Sequence, residues 1–97
     1  MSLFSQKKRA PELVTSGRFE LEQDGHTAAL DYTLAGDVLA LLETEVPDAL
    51  RGTGIATLLV RTAFDYAREH HLKVDVVCPF VAGYLKTHSE YDDLLLR

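Results

Sequence analysis

Arg51-Gly52-Thr53-Gly54-Ile55-Ala56 stands where a strand-like apolar run gives way to helical spacing, and residues of these types in this order can hold an anion. A helix N-terminus leaves about four backbone N–H groups without intrahelical partners and carries roughly half a positive charge. Glycines just ahead of it let a bulky anion approach the backbone closely, and Arg51 adds a fixed positive charge beside them. The spacing suits a phosphate or pyrophosphate. It suits equally a tight turn whose glycines need positive φ and nothing more. A P-loop is excluded, because no Lys-Ser/Thr follows the last glycine. A dinucleotide fold is excluded as well, because the third glycine is missing and the preceding strands read as antiparallel.

Three strand-like runs come before that turn. In "GRFELEQDG" Phe19 and Leu21 alternate with Glu20 and Glu22, and Asp24-Gly25 is a turn signal. "HTAALDYTLAG" sets Ala28, Leu30 and Tyr32 on alternate positions and closes at Gly36-Asp37, while "DVLALLETEV" is more continuously apolar, as a central strand should be. From Gly54 to about His70 the period changes: Ile55, Leu58, Leu59, Thr62, Ala63, Tyr66 and Ala67 fall on one helical face, with Phe64 and Tyr66 read as packing residues. "LKVDVVC" then reads as a buried strand parallel to the one before the helix. Pro79 stops it and opens a second helix over "PFVAGYLKTHS", followed by a short helical tail at "EYDDLLLR". The expected order is β-β-β-α-β-α, an α+β fold with a mostly antiparallel sheet.

With 97 residues the chain has room for one domain. Residues 1–17, with the basic run Lys7-Lys8-Arg9 and a proline, read as a flexible N-terminal segment, and 18–97 as the single domain. The segment is too short and too polar for a secretory signal, and no apolar run approaches the ~20 residues of a membrane span. A net charge of −5 excludes a sequence-independent nucleic-acid binder and is compatible with cationic partners such as amines. The single cysteine, Cys78, allows no internal disulfide and fits a cytoplasmic protein. The four histidines lack partners at metal spacing, so no metal is expected.

Residues 51–56 match, position by position, the Q/R-x-x-G-x-G/A signature of the GNAT superfamily of N-acetyltransferases. With "CPFVAGYLKTHSEYDDLL" at its downstream spacing, the stretch from about Phe19 to Leu95 resembles the minimal members of that family, which keep the sheet and cofactor half and lack the helices covering the acceptor site. The resemblance implies a truncated GNAT fold with a strand-to-helix cofactor turn. It also implies acetyl-coenzyme A as co-substrate, with its pyrophosphate on the backbone of Arg51, Gly52, Thr53, Gly54, Ile55 and Ala56. Its pantetheine arm would run along the strand at Thr44 and Val46, where backbone N–H groups would bind the carbonyl oxygen. The acceptor implied is an amine, on a small molecule or on a peptide or protein lysine, and the open site follows from the missing helices. Two departures stand out: the minimal subfamily often has histidine where this chain has Glu43, and proline where it has Val76.

Acetyl transfer to an amine needs a neutral amine, a stabilised oxyanion and a proton for the departing thiolate. Glu43 and Glu45, two apart on one strand, share a face, and their mutual repulsion raises at least one pKa, which suits a base. An ordinary solvated pair has the same pattern. Cys78, immediately before Pro79, falls at a helix N-terminus where a thiolate is favoured. It is a candidate nucleophile, a positioning group or a small buried hydrophobe. Tyr84 resembles the tyrosine that protonates the thiolate in many GNAT enzymes, and equally fits an amphipathic core-edge residue. His88 reads as a surface histidine or an adenosine-side phosphate contact. The reading is therefore an N-acetyltransferase, with a non-catalytic coenzyme A-binding module as the alternative, in a monomer or weak homodimer.

Overall fold

The computed structural model describes residues 14–96. Its elements run β1 Val14–Gln23, β2 His26–Ala35, β3 Val38–Glu45, a 3₁₀ turn Asp48–Leu50, α1 Ile55–Glu69, β4 Lys73–Val76, α2 Pro79–Leu85 and a 3₁₀ segment Ser89–Leu94. The four strands form one sheet in the order β1-β2-β3-β4. The first three are antiparallel and β4 runs parallel to β3 after the α1 crossover. The α+β architecture is that expected from the sequence, with a mostly antiparallel sheet.

The β1–β2 hairpin turns on Asp24 and Gly25, both at positive φ (53° and 79°), the backbone that an Asp-Gly pair tolerates best. β1 begins at Val14, three residues earlier than the charge alternation in "GRFELEQ" indicates, because Val14 to Ser16 continue the ladder opposite Ala35 to Thr33. The rest of the expected N-terminal segment lies outside the described residues. Gly17 sits opposite Tyr32, whose ring lies over it: a Cβ at Gly17 would come within 2.6 Å of the Tyr32 oxygen. The ring packs in turn against Phe19 at a tilt of 39°, centroids 4.8 Å apart.

α1 buries one face against the sheet and another against the C-terminal segment. Its buried residues are Ile55, Leu59, Val60, Ala63, Phe64 and Ala67, so the inner stripe is rotated from the expected one: Leu58 is 48% exposed and Thr62 is exposed. The cause is tertiary. Phe64 stacks on Tyr91 of the last segment (4.7 Å, 22°), and Arg68 forks onto Asp93 (3.0 and 3.2 Å), which draws that side of the helix inward. The tail also adds to the sheet: Leu96 N–H donates to the Val74 carbonyl at 2.8 Å.

α2 ends at Leu85, four residues short of the stretch read as helix. Beyond it the amides of Lys86, Thr87 and His88 bond three residues back instead of four, and His88 Nδ1 reaches the Tyr84 carbonyl at 2.8 Å. That capture uses the acceptor the next helical turn would need.

Candidate active site

Two features of β3 create the site. Its register against β2 shifts between Asp31 and Tyr32, which pair with Glu43 and Leu41, leaving Leu42 as the extra residue of a bulge. Its pairing with β4 stops at Leu41–Val76 while β3 continues to Glu45. The parting is abrupt because the Val77 and Cys78 amides both converge on the Leu41 carbonyl, at 3.0 and 2.9 Å. This is also why β4 ends at Val76 and not at Cys78. Beyond Leu41 the β4-facing edge of β3 has no strand partner among the described residues.

The chain leaves β3 through Val46 and Pro47 into the 3₁₀ turn, which Leu50 anchors in the core at 1% exposure. Gly52 (φ 79°) and Gly54 (φ 86°) are both left-handed, so the spacing read from the sequence does correspond to backbone that only glycine adopts freely. Gly54 is the N-cap of α1. No side chain caps the helix, no acidic residue lies in its first turn, and its first backbone bond is Leu58 N–H to the Gly54 carbonyl at 3.2 Å. The amides of Ile55, Ala56 and Thr57 therefore precede the ladder. They open on a cavity of about 500 Å³ lined by Thr44, Val46, Leu50, Arg51, Gly52, Gly54, Ile55, Ala56, Thr57 and Phe80.

Seven of the eight residues read as cofactor-binding line this cavity: Thr44, Val46, Arg51, Gly52, Gly54, Ile55 and Ala56. Thr53 does not. Its N–H (3.2 Å) and its hydroxyl (2.6 Å) both donate to the Leu50 carbonyl, so Thr53 clamps the turn and presents neither group to an anion. Arg51 is held by Asp48 at 3.0 Å, an exposed pair that a stronger anion can displace. Leu50, Thr57 and Phe80 were not marked in the sequence. Thr57 was legible as the third residue of α1, whereas Leu50 and Phe80 reach the cavity only through the fold.

The four residues read as catalytic are not gathered in one place. Cys78 is the N-cap of α2, with Pro79 following, and is 2% exposed. Its Sγ lies 3.3 Å from Thr44 Oγ1, which ties it to a cavity-lining residue. Tyr84 does not line the cavity. It stacks on His88 (3.8 Å, 5°) and burial raises its hydroxyl above the usual tyrosine pKa. His88 is thus a partner of Tyr84 and of the end of α2.

Glu43 and Glu45 lie on the opposite face of β3 from Thr44 and Val46, by the alternation of a strand. There they meet Asp31 of β2, with one carboxylate oxygen from each of the three within 4.8 Å of the others. Arg18 of β1 sits among them, with Nε 2.9 Å from Asp31 and a terminal nitrogen 3.3 Å from Glu45. The buried Asp31 Oδ1 gains charge from Arg18 but no well-angled hydrogen bond. The hydrogen bond and charge of Asp31 raise the Glu45 pKa; Arg18 opposes the shift, and Glu43 adds a smaller upward push. The expected mutual repulsion of Glu43 and Glu45 is thus secondary to Asp31, which only strand pairing brings there.

A family model described as GCN5-related N-acetyl-transferase matches residues 18–94. The chain belongs to the GCN5-related N-acetyltransferase family. Protein NATD1 of Gallus gallus is 42% identical over 60 residues, covering 61% of this chain and 54% of that protein. Protein NATD1 of Danio rerio is 35% identical over 73 residues, covering 72% and 66%. The chain spans little more than half the length of the chicken relative. A crystal structure of a protein from Agrobacterium tumefaciens assigned as an acetyltransferase superposes with a TM-score of 0.54 at 25% identity, covering 82% of this chain and 60% of that one. The fold is therefore GNAT-like.

Proposed function

We propose that the protein is an acetyl-CoA-dependent N-acetyltransferase acting on an amine, either a small amine or a peptide or protein lysine. The observation that carries this reading is the continuity of the site. An uncapped α1 N-terminus behind two left-handed glycines opens on the same cavity that reaches Thr44 on β3 and Val46 just beyond it. An anionic pyrophosphate suits the first end by dipole and free amides. An extended arm with amide groups suits the second, because a strand edge without a partner offers hydrogen-bonding backbone. Family membership supports the same chemistry.

The amine acceptor is supported by the other face of β3. Asp31, Glu43 and Glu45 set three carboxylates around Arg18, the one cation paired with them among the described residues. Such a face attracts a protonated amine, and a carboxylate whose pKa is raised, as at Glu45, is suited to taking its proton.

The alternative, a coenzyme A-binding module without turnover, is favoured by one observation: Tyr84 stacks on His88 and is not among the cavity-lining residues. Thermal unfolding with acetyl-CoA, with adenosine as control, followed by thiol release in the presence of a panel of amines, separates the readings. A shift with turnover supports the enzyme. A shift without turnover supports the module, and no shift at millimolar acetyl-CoA removes both.

A further inference from the structure

The departing thiolate needs a proton, and Tyr84 does not reach the cavity through any lining atom. Three polar residues do line it. Arg51 and Thr57 belong to the glycine turn and the first turn of α1, and Thr44 alone belongs to the sheet. A thioester whose anionic end sits at the α1 N-terminus, and whose arm follows the unpartnered edge of β3, brings its reacting end to Thr44. The Thr44 hydroxyl is not isolated there. The convergence of Val77 and Cys78 on the Leu41 carbonyl turns the chain so that Cys78 Sγ comes to 3.3 Å from Thr44 Oγ1.

We propose that Thr44 is the proton donor to the leaving thiolate, with buried Cys78 as the positioning residue that supplies its proton. This rests on the acetyltransferase reading above. A thiol is a weak donor and its sulfur a weak acceptor, whereas a hydroxyl oxygen accepts well. With Cys78 donating to Oγ1, the Thr44 O–H is free to point into the cavity. The amine nitrogen bonds to the thioester carbon; as the tetrahedral adduct collapses, the C–S bond breaks and sulfur leaves with the electron pair. Thr44 passes its proton to that sulfur while taking the Cys78 thiol proton, so the hydroxyl ends unchanged. The acylated nitrogen sheds its proton to water, and cavity water returns one to Cys78 through Thr44. Amine and thioester have become amide and thiol. Both ends of the relay are thiols. Cys78 needs no access to the substrate, in keeping with its burial.

The experiment measures acetyl-CoA affinity and the kcat of acetylation for Thr44→Val, Thr44→Ser, Cys78→Ala and the wild type. Thr44→Val keeps the branched shape of the strand residue. It is expected to bind acetyl-CoA with unchanged affinity while kcat falls by about 100-fold, the usual worth of a positioned acid. Thr44→Ser restores most of that loss. Cys78→Ala lowers kcat and its solvent isotope effect while acetyl-CoA affinity is unchanged, a change that a packing role does not produce. If Thr44→Val does not fold, Thr44→Ala against Thr44→Ser makes the same comparison. Wild-type kcat in Thr44→Val, equal loss in Thr44→Ser, or an unaltered solvent isotope effect in Cys78→Ala overturns the relay alone. A wild type that binds acetyl-CoA but acetylates no amine overturns the relay and the enzyme reading together, and one that does not bind it overturns the reading of the cavity.

Discussion

Gly54→Asp separates the two roles of the glycine turn, fold and anion site. Gly54 is left-handed at φ 86°, and a Cβ added there meets no protein atom within 4 Å, so the substitution tests backbone conformation and ligand space but not packing. A left-handed non-glycine residue costs about 1–2 kcal/mol, with Asp at the low end because it visits this region. A carboxylate at the uncapped N-terminus of α1 returns about 0.5–1 kcal/mol through the dipole and the free amides. The unliganded protein should therefore lose no more than about 1 kcal/mol, a Tm fall within ~4–8 °C. The ligand term is larger. A unit charge ~4 Å from a phosphate costs ~4 kcal/mol at an effective dielectric of 20; halved for the exposure of the turn, ~2 kcal/mol weakens binding about 30-fold. At acetyl-CoA a hundredfold above the wild-type Kd, stabilisation then drops from ~2.7 to ~0.9 kcal/mol. The ligand-induced rise in Tm shrinks from about 11–22 °C to about 4–7 °C. Scanning fluorimetry of both proteins with and without acetyl-CoA reads both quantities. A full-sized ligand shift in the Asp variant would refute the assignment of the anion to this turn.

Three further outcomes follow from packing and charge. Gly17→Ala should cost about 1–3 kcal/mol, because its Cβ would drive the Tyr32 ring off its contact with Phe19; an unchanged Tm would mean the ring can move freely. Leu50→Ala should cost about 2–5 kcal/mol and Leu58→Ala less than about 0.5, since the first is buried and the second 48% exposed; equal losses in urea unfolding would contradict the observed rotation of α1 and the anchoring of the turn. Acid behaviour should divide between two carboxyls. Arg68 holds Asp93 below the ordinary aspartate value of 3.8, so its stabilisation is complete above that value and is lost as pH falls through the folded pKa. Asp31 raises Glu45 above 4.5, so Glu45 is a stabilising proton holder in acid and its contribution is lost as pH rises through its folded pKa. Asp93→Asn should flatten the first slope and Glu45→Gln the second, measured as urea unfolding across pH 3 to 7, and slopes that survive both substitutions would assign the titration to other groups.

The elements and their order were legible because their signals are local. Alternation in β1 to β3, the Asp24-Gly25 turn, the change of period at Gly54 and the Cys78-Pro79 boundary each act within a few residues. The glycine turn was legible for the same reason, since positive φ at Gly52 and Gly54 is a property of the residues themselves.

Chemistry shared between distant segments was not legible. Thr44 and Cys78 are 34 residues apart and meet only because β4 leaves β3 after Leu41. Asp31 and Arg18 reach Glu45 through strand register, which a bulge at Leu42 resets and no sequence period announces. Thr53 fits the signature as written, yet its two donors close on Leu50, because the turn had to satisfy its own backbone before offering amides to a ligand. Sequence by itself determined which segments are strands and helices and where an anion could approach. Tertiary structure decided which side chains share the cavity, because that depends on where strands part and on which side of a helix the rest of the chain buries.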